Sequence, residues 1–203
     1  MKDFFLLIFL GFTILIFSCK NEKKPVTQIT QDTLYENEPD KSKSENLFDP
    51  CSLIRIKKLG ELFNVDPKLI QIKNDQYSGD FSKSCNLKWV DNSSGTTYSL
   101  LIILMANPIP GETADWASSY LNSRIQSGER SFPDKEEVIK YKKFESIESE
   151  SAYHKETGKL FWKINKDYIM AVFLSDSFKN DSQDQVLVKL YNELTKKAID
   201  QLN

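Results

Sequence analysis

The chain has 203 residues and a formal net charge of −2, with 27 basic side chains against 29 acidic ones. So even a balance leaves no electrostatic footprint for nucleic acid. An aromatic content of 12 % excludes a wholly disordered chain, which would lack the apolar surface to offset its ordering entropy.

Near the start, a basic Lys2 and an apolar run from Phe4 to Phe17 precede Ser18 and then Cys19. A charged start, a short apolar stretch and a small residue before a cut site describe a secretory signal. As a helix the run would span about 21 Å, short of the roughly 30 Å hydrocarbon core, so it is not expected to be a stable transmembrane anchor. The order Ile16, Phe17, Ser18, Cys19 resembles the lipobox of bacterial lipoproteins. That resemblance implies cleavage before Cys19, acylation of its thiol and of the new amine, and attachment to a membrane through those chains. It places the mature chain in the cell envelope, at the outer membrane, its periplasmic face or the cell surface.

Residues 1–18 are therefore expected to be a signal peptide, 19–46 the lipidated cysteine with a tether, and 47–203 a single domain. Residues 20–46 hold five Lys and six acidic residues among Thr, Ser and Gln, with few aliphatics. Such a stretch cannot bury enough apolar surface to order itself. With Cys19 taken by lipid, Cys51 and Cys85 remain as an even pair. In an oxidising compartment they read as a disulfide, the alternative being two separate buried thiols.

Asp49-Pro50 reads as an N-cap with proline in the first turn, and Leu53, Ile56, Leu59 and Phe63 follow at helical spacing, predicting a helix of about four turns. A short strand is expected at Leu69 to Ile72. Cys85, Leu87 and Trp89 alternate with Asn86 and Lys88, the period of a half-buried strand. The turn Asn92-Ser93-Ser94-Gly95 leads into Thr96 to Ala106, the most apolar stretch after the signal and the expected central strand. Pro108, Pro110 and Gly111 mark a loop before a helix from about Glu112 to Ser127, which Gly128 terminates. A strand is expected at Val138 to Lys142, with short extended pieces over Phe144 to Tyr153. Turns at Glu156 to Lys159 and Asn165 to Asp167 bound the strands Leu160 to Ile164 and Tyr168 to Leu174. Ser182, with Gln185 three residues on, opens a last helix whose buried stripe is Leu187, Leu190, Leu194 and Ala198. Tight hairpins require antiparallel pairing, so the class is α+β, one twisted antiparallel sheet packed by about three helices.

The run Asp49-Pro50-Cys51-Ser52-Leu53-Ile54, followed by Cys85-Asn86-Leu87-Lys88-Trp89, resembles a pattern in actinobacterial lipoproteins of unknown function. Ser151-Ala152-Tyr153, Gly158-Lys159-Leu160 and the Tyr168 to Leu174 strand are similar to that family's later hairpin. One departure is Glu148 to Ser151, where the family favours a glycine before the alanine. The resemblance covers residues 48–203 and implies a PsbP-like fold and an export route, with no activity attached.

Chemical motifs are sparse. The one histidine, His154, sits in the polar run Tyr153 to Glu156, and no Gly-x-Ser-x-Gly elbow accompanies it, so a surface histidine at a strand end is expected. No phosphate-binding glycine loop or cofactor motif occurs. Asp176, Asn180, Asp181 and Asp184 crowd one loop without the spacing of a calcium hand, and read as a solvated loop rather than a metal site. The leading expectation is a non-catalytic domain that binds an envelope protein or component. The rival is a small-ligand carrier with a pocket between the sheet and the Glu112 to Ser127 helix, lined by Trp89, Trp116 and Tyr120. A hydrolase using His154 comes third. For a partner, Phe161 and Phe173 are the candidate contacts if the sheet face opposite the last helix is uncovered; otherwise a helix covers them.

Overall fold

The computed structural model describes residues 47–74, 79–92, 94–109, 111, 114–130, 138–175 and 182–202. The expected signal, Cys19 and the tether lie outside these residues, as do Asp176, Asn180, Asp181 and the expected helix start at Glu112.

The first element of the described chain is a 3-10 turn, Pro50–Leu53, whose entry the Asp49 carboxylate caps by accepting from the Cys51 N–H at 2.8 Å. The expected four-turn helix is interrupted here. Ile54 is extended, and α1 runs only over Ile56–Phe63. The break lets the consecutive Leu53 and Ile54 both enter the core, whereas neighbours on one helix point about 100° apart. A second 3-10 turn, Pro67–Leu69, leads to β1 (Gln71–Asn74), so Leu69 belongs to the turn and the strand starts later than its apolar residues suggest.

The hairpin β2 (Ser82–Val90) and β3 (Thr97–Ala106) follows, then α2 (Trp116–Gln126). Asp115 is the N-cap of α2, its carboxylate accepting from the Ser118 N–H at 3.0 Å. Gly128, at φ +76°, ends the helix as expected, its N–H donating to the Arg124 carbonyl. Next come β4 (Glu129–Arg130) and β5 (Val138–Ile139), which among the described residues pair only with each other. Beyond them Lys142 bridges to Tyr153. The chain closes with β6 (Ser151–His154), β7 (Lys159–Asn165), β8 (Tyr168–Leu174) and α3 (Gln183–Leu202).

The class is α+β. Six strands form one antiparallel sheet in the order β1-β2-β3-β8-β7-β6, two meanders joined where β3 pairs with β8. The most apolar strands are thus central, with neighbours on both sides. One sheet face carries Cys85, Leu87, Leu100, Ile102, Leu160, Trp162, Met170 and Val172. It packs under the 3-10 turn, α1 and the Leu187, Leu190, Leu194 and Ala198 stripe of α3. Trp162 is fully buried there and its indole N–H donates to Thr195 Oγ1 at 2.9 Å, so the largest core side chain leaves no polar atom unmatched. The other face carries Ala152, Phe161, Ile169 and Ala171 beneath Ala117 and Leu121 of α2.

Cys51 and Cys85 are bonded, pinning the 3-10 turn to β2. Among the described residues no helix is long and apolar enough to cross a membrane.

Candidate functional site

Trp89 and Tyr98 stand directly opposite each other across the β2–β3 hairpin, their rings stacked at 5.9 Å between centroids and 13° between planes. Phe63, the last residue of α1, also contacts Trp89, with 4.9 Å between ring centroids and 42° between planes. These rings form one wall of a cleft of about 620 Å³ between the end of α1, the hairpin and the start of α3. That volume is within the range of small-molecule sites. Leu62, Val65, Leu69 and Val186 add apolar lining. Polar groups come from Asn64, Asp66, Asp91, Asn92 and Ser182, and among the described lining residues none is basic. The partly exposed Phe63 and Tyr98 rings and the alkyl groups thus share the cleft with carboxylates and amides, while Trp89 itself is buried.

Local sequence explains that shape. Asn64 adopts the left-handed conformation at φ 53° and ψ 48°, which asparagine tolerates better than most residues, and this turns the chain sharply after Phe63. The Val65 N–H donates to the Gly60 carbonyl at 2.9 Å. Gly60 has no room for a side chain: a Cβ there would lie 2.7 Å from the Val65 carbonyl oxygen and 2.8 Å from Pro67 Cγ. The Asp66 carboxylate then caps the second 3-10 turn through the Lys68 N–H at 3.0 Å.

The other aromatic candidates lie across the sheet. Trp116, Tyr120, Phe161 and Phe173 form a chain of ring contacts at 5.4–6.2 Å on the α2 face. Trp89 does not join them. The pocket expected between sheet and α2, lined by Trp89, Trp116 and Tyr120, is thus not assembled. Ala117, Leu121, Ala152, Phe161 and Ala171 fill that space, each at 2 % exposure or less. Alternation along β2 sends Trp89 to the side of Cys85 and Leu87, which the disulfide and α1 cover. Phe161 is likewise closed off by α2, while Phe173 stays partly exposed.

Beside these rings Arg124 reaches back from α2 over Tyr120, Tyr141 and Phe161. It is ion-paired with Glu129, and its guanidinium also donates to the Tyr120 hydroxyl. Tyr141 donates to the same Glu129 carboxylate at 2.5 Å, and Lys159 Nζ lies 3.5 Å from it. Burial would raise the Glu129 carboxyl, but the Tyr141 hydrogen bond and the Arg124 and Lys159 charges outweigh it and hold it below its ordinary value. Burial and the bond to Glu129 push the Tyr141 hydroxyl up. Two cations thus share one carboxylate, and the cluster ties β4 to α2 and β7.

A second cluster centres on Lys163 Nζ, which is paired with Asp115, 2.8 Å from Ser118 Oγ and 3.0 Å from Glu150 Oε1. The bond to Asp115 raises the lysine, and the same bond lowers the Asp115 carboxyl. This cluster locks the α2 N-cap onto β7. His154 ends β6, with Nδ1 2.9 Å from Thr157 Oγ1 and Nε2 3.5 Å from Glu156, both in its own turn. Asp184, expected in an acidic loop, is in α3 and accepts from the Tyr153 hydroxyl at 2.7 Å. Among the described residues no group of three or more His, Cys, Asp or Glu side chains is placed to hold a metal ion.

Sequence reasoning named Trp89 but missed Phe63 and Tyr98. The signal for Tyr98 was present: folding back at Asn92 to Gly95 sets Trp89 opposite it. Phe63 required the break at Ile54, which no periodicity announces. Comparison with protein-family models, curated proteins and solved structures gives no match for this chain.

Proposed function

We propose that the chain is a lipid-anchored envelope protein whose domain works by binding rather than catalysis, with the Phe63–Trp89–Tyr98 cleft as its ligand site. The observation that carries this reading is the cleft itself, about 620 Å³ and lined by Phe63, Trp89 and Tyr98 together with Asp66 and Asp91. The partly exposed Phe63 and Tyr98 rings offer apolar contact, and the acidic groups nearby favour a ligand with an apolar body and a cationic or hydrogen-bond-donating edge. Anchoring through Cys19 rests on the lipobox-like order Ile16 to Cys19. The Cys51–Cys85 bond supports an oxidising compartment. The same bond, and one antiparallel sheet between helices, support kinship with the disulfide-containing lipoproteins of PsbP-like fold.

Compared with the carrier pocket expected under α2, the ligand site moves to the opposite side of the sheet. The test is native mass spectrometry of the folded chain purified from its own envelope fraction, beside Tyr98→Ala and Phe63→Ala variants. A bound small molecule that the wild type retains and both variants lose supports the reading. Retention by all three, or no bound species together with unchanged Trp fluorescence across a panel of aromatic and alkyl cations, overturns it.

A further inference from the structure

The two edges of the six-stranded sheet are finished differently. At the β6 edge, Lys142 donates its N–H to the Tyr153 carbonyl at 2.9 Å and accepts the Tyr153 N–H at 2.7 Å, so an extra segment closes the ladder. At the other edge, among the described residues, β1 pairs with β2 only. Gln71 and Lys73 are exposed, and Ile72 is 38 % exposed although it lies in a strand. An edge strand with one free side is a template for a further strand.

Register fixes what each side of that edge presents. Gln71 lies opposite Lys88 and Lys73 opposite Asn86, so Gln71, Lys73 and Lys88 share the α2 face of the sheet. Ile72 lies opposite Leu87 and points to the face of α1 and α3. Lys68 and Lys88 line a recess of about 320 Å³ beside the strand, with Gln71, Val90, Asn92 and Thr97. Neither Lys68, Lys73 nor Lys88 forms a salt bridge among the described residues. Among the described residues the edge is thus bordered by lysines without an ion-pair partner on one face and by an exposed aliphatic on the other. The recess adjoins the aromatic cleft through Leu69, Trp89, Val90 and Asn92, and the carboxylates of Asp66 and Asp91 line the cleft and not the recess.

We infer that β1 is a docking edge for an extended acidic segment of a partner protein, which adds as a seventh strand with acidic and apolar residues alternating. Residues of the added strand beside Gln71 and Lys73 face Lys73, Lys88 and the recess, and there carboxylates are favoured. The residue between them lies beside Ile72, where an aliphatic side chain buries apolar area. Main-chain bonds along the edge give affinity and the alternating side chains give selectivity, as in β-strand addition generally. A second copy of this chain is disfavoured, since pairing β1 with itself sets two Lys73 side chains on one small edge. The inference concerns a surface separate from the aromatic cleft and does not depend on what fills the cleft.

The probe is a fluorescent peptide of alternating Glu and Val, titrated against the full chain by anisotropy. Compared with it are a peptide of the same composition in two blocks and two peptides N-methylated at one or the other alternate set of residues. The alternating peptide is expected to bind roughly tenfold or more tighter than the block peptide, with affinity falling as salt rises. One N-methylated peptide loses binding and the other keeps it, because only alternate N–H groups face the edge. Lys73→Glu with Lys88→Glu weakens binding at least tenfold while the melting temperature stays within a few degrees, and amide exchange at 71–74 slows only when the intact peptide is bound. Equal binding of block and alternating peptides, equal binding of both N-methylated forms, or indifference to the lysine reversals overturns the inference. So does failure of the peptide to bind at millimolar concentration when the same lysines hold the chain on phosphatidylglycerol vesicles; the edge then belongs to a membrane contact.

Discussion

The Arg124 guanidinium carbon sits 4.7 Å from the centre of the Phe161 ring, on the sheet face that α2 covers. A cation on an aromatic face is stabilised when its own charge is balanced nearby, and Glu129 supplies that balance. The pair explains how a charged residue of α2 lies against the core: the guanidinium carbon sits over the ring, while its nitrogens meet a carboxylate and the Tyr120 hydroxyl.

Phe161→Asp should therefore unfold rather than disarm the domain. Phe161 is 2 % exposed, and the Arg124 guanidinium that stands over its ring is already committed to Glu129 and the Tyr120 hydroxyl. A buried carboxylate lacking a partner of its own and the loss of an aromatic core side chain together cost roughly 3–5 kcal/mol. Urea denaturation should show the midpoint falling far below that of Phe161→Leu. A variant as stable as the wild type would mean that α2 does not cover this strand in solution.

Stability should fall in acid. Glu129, Glu150 and Asp115 all have carboxyls lowered in the folded chain. Hydrogen bonds from Ser118 and Lys163 lower Glu150, and the bond to Lys163 lowers Asp115. A carboxyl whose folded value is depressed binds protons less readily than in the unfolded chain, so its stabilisation is present above the unfolded value and is lost as pH falls through the folded one. For Glu129 the loss begins near its ordinary value of 4.5 and continues below it. Chemical denaturation at stepped pH should give an acid limb that is shallower in Glu129→Gln. An identical limb would remove Glu129 from the account. The Tyr141 and Tyr153 hydroxyls are raised from 10.0, so their contribution is complete below that pH and fades above it.

Reducing the Cys51–Cys85 bond should lower the melting temperature by about 10 °C. The bond joins residues 34 apart, and the chain-entropy model assigns such a loop roughly 3–4 kcal/mol. Cys85 is fully buried, so alkylation of the native chain should require prior reduction. Two alkylated thiols in the unreduced protein would contradict the bond.

The parts of the fold readable in sequence were those with strong local rules. Alternation over Cys85 to Trp89, the apolar Thr96 to Ala106 stretch and the tight turn at Asn165 to Asp167 placed strands and hairpins, and the even pair of cysteines placed the bond. Gly128 marked a helix end for a conformational reason. What failed were features decided by contacts far apart in sequence. The core demands both Leu53 and Ile54, and this splits the first helix. Leu69 is apolar but sits in a 3-10 turn, since the Asp66 cap sets the local conformation before pairing with β2 begins. The cleft was legible only in half: facing residues of one hairpin follow from turn length, whereas which face α1 covers depends on the whole core.

Cys19→Ala should abolish lipid attachment if the lipobox reading holds. Acyl transfer needs the Cys19 thiol, and alanine has none. Metabolic labelling with a fatty-acid analogue in a bacterial host should mark the wild type and not the variant, which should keep residues 1–18. Unchanged labelling would reject anchoring through Cys19. Secretion of an unlabelled, shortened chain from the wild type would reduce the segment to an ordinary signal peptide.

Gly60→Ala tests the link between local sequence and the cleft. The added methyl would sit 2.7 Å from the Val65 carbonyl oxygen, which is backbone, and 2.8 Å from Pro67 Cγ in a rigid ring. Neither neighbour can rotate away, so residues 64–67 must shift as a unit. Alanine gains up to about 1 kcal/mol of helix propensity over glycine, while forcing an overpacked site costs typically about 1–3 kcal/mol. The second effect wins at a buried position, and Gly60 is buried. The melting temperature should fall by several degrees, and Trp89 fluorescence should change because Asn64, Val65 and Asp66 line the same cleft as its ring. An exposed α1 site such as Lys57→Ala serves as the control, with little change in either reading. If Gly60→Ala instead raises the melting temperature and leaves Trp89 fluorescence alone, the tight approach of the 64–67 turn to α1 is not present in solution, and the cleft loses the wall that this turn provides.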